Sequence, residues 1–600
     1  MTQEIYDNPA FSSENSLSVI EGNLTSVNNE DKNEDRKIVT KDGVIRQKWG
    51  RDIEFLLSCI AMAIGLGNVW RFPFIALENG GGAFVIPYII VLILIGKPGY
   101  YLEMIMGQFS SRGTVKVYDC VPAMRGVGLG QMICLAMVAT YYSAIVAIIL
   151  YFLIVSFFPT LPWSECKDYW DVPCYSSSGS NSNITWNNNT KSSAELYFLK
   201  DVLNARDTLE DGIGLPNWNL VGLLVFSWTI MFILLFKGVR ITGKASYVTG
   251  TAPFIFLAIF FIRAITLEGS YEGIAYFFKP KWNDILKPKV WFEACTQVFF
   301  TLNVFFVNVI MCASYNRFEH KIQRDSAIVT TLDTFTSLLV GSITFGIVGH
   351  LSHELNRPIK EVFRGGPGLV FVTYPETIAK FKFWPQFFSV MFFLMLFILS
   401  FGSLLATSLS AMTVIRDRFK RIKDWQAALG FAIFGTIFGC FYTTPAGLLI
   451  LNLVDSYCAT FVIFILACLE IYTFSYIYGV ARICKDVKFM LGFRPNIFWR
   501  VTWKFITPLI MTAIVIYTFV YFELPSDGDY QYPVGAHIFG WFIALLGLIW
   551  VPVIFTTRVW KQKQETKLIE KIRAALRPTK NWGPLDPVTN AKYKEFMTKN

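Results

Sequence analysis

The 600-residue chain is 53% apolar or aromatic and only 16% charged, with a mean hydropathy of +0.43. That balance excludes an ordinary soluble globular protein and points to a polytopic membrane protein. The formal net charge of +10 reads as membrane topogenesis rather than nucleic-acid binding, because the cations cluster in short loops between apolar runs. No nucleophile, base and orienter converge and no phosphate loop occurs, so the sequence does not read as an enzyme.

The first 45 residues are rich in Ser, Asn, Glu and Asp and lack an apolar core, so they read as a disordered cytoplasmic tail rather than a signal peptide. A window of about 19 residues then predicts twelve spans: 53–76, 82–107, 127–157, 219–236, 246–267, 291–313, 327–349, 386–413, 426–442, 447–477, 499–522 and 536–557. Residues 46–560 are thus an all-α, twelve-helix membrane core. A cytoplasmic tail, 561–600, follows, with a short amphipathic helix expected at 562–576.

The first run, Phe55 to Ile75, is interrupted by Gly65-Leu66-Gly67-Asn68 and followed by Trp70-Arg71-Phe72-Pro73. A bilayer tolerates irregular backbone only where it is buried in protein or lines a cavity. Unpartnered carbonyls and an amide at mid-depth are costly unless an ion or substrate is coordinated there. Glu103 and Glu470 fall inside other spans and are expected to lock helices together. The long loop 159–218 carries the glycosylation sequons at Asn183 and Asn188 and the cysteines Cys166 and Cys174, close enough to pair, so it is expected to be extracellular. The other nine of eleven cysteines show no metal-ligand spacing.

The sixth span is interrupted by Thr301-Leu302-Asn303 and Asn308. Paired breaks five spans apart predict a 5+5 inverted repeat with discontinuous helices 1 and 6. Residues 350–385 form a further extracellular loop. The cations Lys237, Arg240 and Lys244, then Arg317, Lys321 and Arg324, then Arg416 to Lys423, then Arg482 to Arg494 fall in alternate loops. Those loops and both termini are therefore expected to be cytoplasmic.

The strings Arg46-Gln-Lys-Trp49, Gly65-Leu-Gly-Asn68-Val-Trp-Arg71-Phe-Pro, Glu78-Asn-Gly-Gly-Gly-Ala-Phe84, Gln297-Val-Phe-Phe300, Ala313-Ser-Tyr315-Asn316, Gly366-Pro-Gly-Leu369 and Tyr374-Pro-Glu376 resemble those of the sodium- and chloride-dependent neurotransmitter and amino acid symporters. The resemblance spans about residues 45–560 and looks most like the insect nutrient amino acid transporter branch. It implies a first sodium site at the Ala63 carbonyl, Asn68, Thr301 and the seventh-span position Asp333. The family usually has Asn at that last position, and the gut transporters of the branch that tolerate potassium carry the acid. A carboxylate at the midplane costs at least ~2.5 kcal/mol, so Asp333 should face a cation or be protonated. Sodium, with potassium as the alternative, is the expected coupling ion.

The same resemblance implies a second sodium site at the carbonyls of Ala61, Ile64 and Leu399 with Gly402 and Ser403. Most animal members carry Asp where Gly402 stands, so this site lacks one side-chain ligand. It implies a chloride pocket at Tyr88, Gln297, Thr301 and Ser337, weakened by the negative charge of Asp333. Gly65 leaves room for a substrate carboxylate where monoamine carriers place Asp, and Tyr142 matches the tyrosine that holds that carboxylate. Gly67, Val138, Phe300, Asn303, Phe306, Ser403 and Thr407 complete the implied pocket. Arg71 with Asp455 would form an outer gate, and Arg46 with Asp417 an inner one flanked by Trp49 and Tyr315. Phe305 and Val307 replace the family's glycines and are expected to restrict unwinding or reshape the pocket. Two functions follow: cation-coupled symport of neutral amino acids at the plasma membrane, or a transport-deficient relative serving as a binding or partner scaffold. The oligomeric state is open.

Overall fold

A computed structural model describes residues 38–39, 45–178, 190–362, 368–381, 383–419, 421–527 and 530–599. Both sequon asparagines, Asn183 and Asn188, and nearly all of the N-terminal tail lie outside these residues, as does the side chain of Arg46. The chain is overwhelmingly helical. Helix α1 (Asp52–Ala63) is followed after a break by α2 (Gly67–Glu78), bent from it by 40°. Then come α3 (Gly82–Ser110), α4 (Pro122–Val155), α5 (Trp218–Leu235) and α6 (Val239–Ile265). Next are the short α7 (Ser270–Phe278), α8 (Pro288–Leu302) and α9 (Asn308–Ser314). The series continues with α10 (Ile322–Leu355), the short α11 (Leu369–Ala379), α12 (Pro385–Arg418), α13 (Asp424–Thr443), α14 (Gly447–Leu491), α15 (Ile497–Val520) and α16 (Val534–Trp560). The C-terminal segment adds α17 (Leu568–Leu576) and α18 (Pro587–Lys599).

Ten of these helices are long and apolar enough to cross a membrane, and the bent α1–α2 pair makes up to eleven. The sixth expected span, 291–313, is split between the 15 residues of α8 and the 7 of α9, each too short to cross alone, with the gap where Thr301–Asn303 and Asn308 interrupt the apolar run. Past the tenth span the helix breaks at Gly479 (φ +99°) and the chain continues as Val480–Leu491. The tail helix covers only Leu568–Leu576 of the expected 562–576.

The helices sort into two shells. In α3, α4, α10 and α12, 67–78% of the apolar window is buried inside the protein, against 22–33% in α5, α6, α15 and α16. Equally apolar helices that protein does not cover are suited to contact lipid, which solvates Leu and Phe as well as a core does. The inner helices α4 and α12 pack along each other, α9 packs on α3, and α1 packs on α6. The α2–α3 turn shows why Gly80-Gly81-Gly82 is there. Gly81 has φ +62°, and a Cβ on it would sit 2.6 Å from the Tyr276 carbonyl oxygen of α7, an approach open only to glycine. In the long loop, Cys166 and Cys174 are disulfide-bonded. Asp201 ties its strands together: burial raises its carboxyl, but hydrogen bonds from Lys167, Trp170 and Tyr169 outweigh that and hold it below the usual range.

Candidate functional site

The two helix breaks meet. After Ala63 the chain turns extended at Ile64 (φ −91°, ψ 99°), and the lost helical bonds are replaced locally. The Gly65 amide donates to Asn68 Oδ1 at 3.1 Å, and the Asn68 amide donates to the Gly65 carbonyl at 3.2 Å. In the second break Asn303, Phe305 and Val307 all adopt left-handed backbone, φ +54°, +64° and +59°. The two are stitched together by side chains: Asn303 Nδ2 donates to the Met62 carbonyl at 3.3 Å, and Gln297 Nε2 to the Gly67 carbonyl at 3.0 Å. Asn308 joins Asn303 to Ser410 of α12 by bonds of 3.0 and 2.6 Å. Carbonyls that a continuous helix would have consumed are therefore met here by side-chain amides of the second break, and irregular backbone of this kind is where a cation or substrate site is built.

Asp333 of α10 sits at this junction and is fully buried. Its partners are neutral: Asn68 Nδ2 at 2.8 Å, the Tyr88 hydroxyl at 3.4 Å, and Thr301 within hydrogen-bonding reach. Ser337 accepts from Asn68 at 2.9 Å and lies 3.3 Å from the Tyr88 hydroxyl. The residues expected to form a cation site (Asn68, Thr301, Asp333) and those expected to form an anion site (Tyr88, Ser337) are thus one cluster. In it a protein carboxylate already faces the hydroxyls an anion would use. Gln297 Oε1 is buried beside them without a partner.

A cavity of about 500 Å3 opens from this junction. Gly65, Gly67, Val138, Tyr142, Phe300, Asn303, Phe306, Ser403 and Thr407 all line it. The Tyr142 hydroxyl lies within reach of the Ser403 side chain and the Leu66 backbone. A Cβ on Gly65 would come within 2.7 Å of Ser403 Oγ, so glycine keeps this end of the cavity open. Sequence reasoning missed Glu78, Lys289 and Glu293, which line the cavity toward the start of α8. Charged residues at a span end gave no signal to distinguish them from snorkelling side chains.

Around Gly402 the packing is tight. A Cβ there would meet the Ala61 carbonyl oxygen at 3.0 Å, and the adjoining space, lined by Ala61, Gly402, Thr249 and Trp49 among others, is about 10 Å3. Neither Ile64 nor Leu399 lines it, and neither does a carboxylate. Ser403 turns instead to Tyr142 and the large cavity.

At the end expected to be the outer gate, Arg71 and Asp455 both line the cavity. Arg71 lies 3.8 Å over the Phe300 ring, and Asp455 accepts from the Tyr141 hydroxyl at 2.6 Å. At the opposite end Trp49 is buried. Its indole donates to the Cys312 carbonyl at 2.9 Å, and the Tyr315 and Thr413 hydroxyls meet at 2.7 Å. Asp417 accepts from the Gly113 amide at 3.1 Å and lies 3.9 Å from Lys116. One end is open and the other is fastened.

Phe305 and Val307 do not line the cavity, which corrects the expectation that their bulk reshapes it. The Phe305 ring packs against Gly99 of α3, where a Cβ would sit 2.6 Å from it, and edge-on against Phe299 at 5.3 Å. The unwound backbone is held from behind. Glu103 accepts from the Phe305 amide at 2.9 Å. Gln131 Nε2 donates to the Phe305 carbonyl at 3.0 Å and to Glu470 at 2.5 Å. Glu103 and Glu470 do join elements, as anticipated, Glu103 directly to the 303–307 segment and Glu470 through a residue the sequence did not single out, Gln131.

Residues 46–562 match the model of the sodium:neurotransmitter symporter family. The chain is 46% identical over 566 residues to the sodium-dependent nutrient amino acid transporter 1 of Drosophila persimilis, covering 92% of this chain and 87% of that protein. It is 45% identical over 573 residues to the protein of the same name in Drosophila melanogaster, covering 92% and 89%. For that of Drosophila ananassae the figures are 43% over 608 residues, 96% and 94%.

Proposed function

The chain belongs to the sodium:neurotransmitter symporter family, and on that premise we propose that it carries neutral amino acids across the plasma membrane, coupled to sodium, by alternating access. The observation that carries this reading is the cavity end at Gly65. There the bare glycine, the Tyr142 hydroxyl and Ser403 adjoin the Asn68–Asp333 cluster. A substrate carboxylate can approach the start of α2, whose free amides favour an anion, while its side chain meets Val138 and Phe300. The charged lining residues, Arg71, Glu78, Lys289, Glu293 and Asp455, belong to the other end, so the deep pocket suits an uncharged side chain. The relatives named as sodium-dependent nutrient amino acid transporters support the same substrate class.

In this reading the coupling cation sits among the Ala63 carbonyl, Asn68, Thr301 and Asp333. Hard oxygen ligands of this kind suit an alkali cation, and the carboxylate widens the choice toward potassium. Asp333 supplies the negative charge that chloride would bring to Tyr88 and Ser337, so transport depends weakly on chloride. The site around Ala61 and Gly402 is small and has no carboxylate in its lining, so a second cation binds there weakly at most and the first site carries the coupling. A charge moved across 100 mV supplies about 2.3 kcal/mol, enough to concentrate an amino acid tens of times. Residues 46–560 form the twelve-helix core, with α1–α2 and α8–α9 as its two broken spans in a 5+5 inverted repeat. Both tails are cytoplasmic, and the 159–218 loop is extracellular and glycosylated. Phe305 and Val307 turn away from the cavity, so the bulk that motivated a transport-deficient scaffold does not obstruct it.

Substrate-evoked current in cells expressing the chain tests the proposal. Neutral amino acids should evoke saturable inward current in sodium, smaller current in potassium, and nearly the same current when gluconate replaces chloride. Electrical and uptake silence with demonstrated surface delivery would overturn it.

A further inference from the structure

The loop between α9 and α10 holds a histidine between two carboxylates, at the end of the molecule where Trp49 and Tyr315 are fastened. His320 is buried. Its Nε2 lies 2.7 Å from Asp325 Oδ2 at the start of α10, and its Nδ1 lies 3.6 Å from Asp52 Oδ2 at the start of α1. Asp325 is fully buried and also accepts from Arg324 Nε at 3.1 Å. The side chain of Asp52 is 54% exposed, with Arg317 Nε 3.9 Å away. From α1 the Phe55 ring meets the imidazole edge-on at 5.4 Å. From α3, Gln108 Nε2 donates to the Phe318 and His320 carbonyls at 3.0 and 2.8 Å and fixes the loop. The sequence neighbours Glu319 and Lys321 line a separate cleft against the end of α14.

The two contacts of the ring differ in what they join. Asp325 stands five residues along the same stretch of chain, so that contact survives a movement of α1. Asp52 lies in the first turn of α1, three residues after Trp49, whose indole fastens to the Cys312 carbonyl. That contact exists only while the start of α1 is seated. A carboxylate paired with an arginine only accepts, so Nε2 carries its proton toward Asp325, and in the neutral ring Nδ1 turns a lone pair on Asp52. A second proton changes that face from repulsion to a charge-assisted contact. Histidine is the side chain suited to make this change between about pH 5 and 8.

We propose that His320 Nδ1 is a proton-binding site that reports cytoplasmic pH to the inner end: the bound proton ties Asp52 to the α9–α10 loop and holds the start of α1 in place. The inference rests on the cytoplasmic placement of this end proposed above. The Asp325 contact is common to both positions of α1, so the difference falls on Nδ1, which faces a carboxylate when α1 is seated and water when it is not. The seated state therefore binds the proton more tightly. Its extra stability is complete at low pH and is lost as pH rises through the titration. A pair with one exposed partner shifts an equilibrium only a few-fold, so the proton tunes how often the inner end opens and does not lock it.

The test follows backbone deuterium exchange in the first turns of α1, with the purified full chain in nanodiscs, at about pH 6 and about pH 7.5 after correction for the intrinsic pH dependence of exchange. It reads the seating of α1 directly, so its failure is separate from any failure of transport. Exchange in the parent should be about three-fold slower at the lower pH. His320→Gln should remove the difference, and so should Asp52→Asn, which leaves the buried His320–Asp325 contact in place and carries the test alone should His320→Gln not fold. Glu319→Gln, an acid beside the ring in sequence that faces the other cleft, should keep it. Equal corrected exchange at the two pH values in the parent, a difference that persists in His320→Gln or in Asp52→Asn, or an equal loss in Glu319→Gln would overturn the proposal.

Discussion

Asp333 concentrates the chemistry of the site in one side chain. Replacing it with Asn keeps its shape and its contacts with Asn68 and Tyr88 and removes only the charge. The sodium concentration for half-maximal current should rise about ten-fold, equivalent to about 1.4 kcal/mol of lost cation attraction, and the response to potassium should fall furthest. A chloride requirement should emerge, because Tyr88 and Ser337 then face no anion of the protein's own. Sodium activation curves in chloride and gluconate read both effects, and unchanged cation dependence would count against a coordinating role. Gly65 makes a second residue-scale argument. Gly65→Ala brings a methyl within 2.7 Å of Ser403 Oγ, a contact too close to keep, so the apparent KM for substrate should rise about ten-fold or more at unchanged surface expression. Adding Ser403→Ala removes the clashing oxygen and should recover part of the affinity, which a purely structural lesion at Gly65 would not.

At the scale of elements, the segment 303–307 is the costly one. Three non-glycine residues in left-handed backbone cost on the order of 1–3 kcal/mol each, and the contacts from α3, α4 and α14 must exceed that. Gln131→Leu leaves the Phe305 carbonyl without its donor and the Glu470 carboxylate with the Tyr118 hydroxyl alone. At about 1–3 kcal/mol for a buried orphan, thermal unfolding in detergent should drop by several degrees and transport should be lost with it. The contrast between the two breaks also shows what the sequence discloses. The first was legible because Gly65, Gly67 and Asn68 advertise irregular backbone inside an apolar run. The second was legible only as a cluster of polar residues. Phe305 and Val307 have no left-handed propensity of their own, and their conformation is imposed by Glu103 and Gln131, hundreds of residues away in sequence or on other helices. For the same reason their bulk was expected to restrict unwinding or reshape the pocket, whereas the segment is unwound and neither side chain lines the cavity. Hydropathy found the long spans because span length is a local property. Where the sixth stops and restarts was read from its polar residues instead, at Thr301–Asn303 and Asn308, next to the observed gap between Leu302 and Asn308.

At the scale of the whole molecule, the conformation is set by the fastenings at one end. Trp49 to Cys312, Tyr315 to Thr413 and Asp417 to Gly113 hold the inner end, while Arg71 and Asp455 at the outer end each contact an aromatic residue. Alternating access requires these fastenings to be weak enough to exchange, and each is built from hydrogen bonds of about 1 kcal/mol apiece with few further contacts, such as the Asp417–Lys116 ion pair and the Trp49–Tyr315 ring contact. Tyr315→Phe removes one hydroxyl and leaves Thr413 its bond to the Leu409 carbonyl, so no buried group is stranded on that side. The equilibrium should shift by about five-fold toward the inward-open state. Ser58 reports it, since it lines the small space beside Trp49 and is 7% exposed. A Ser58→Cys thiol should react from the cytoplasmic side about five times faster in the Tyr315→Phe background, and substrate with sodium should slow it again by drawing the population back. Reactivity that is the same in both backgrounds would mean that the Tyr315–Thr413 contact follows closure of this end rather than holding it.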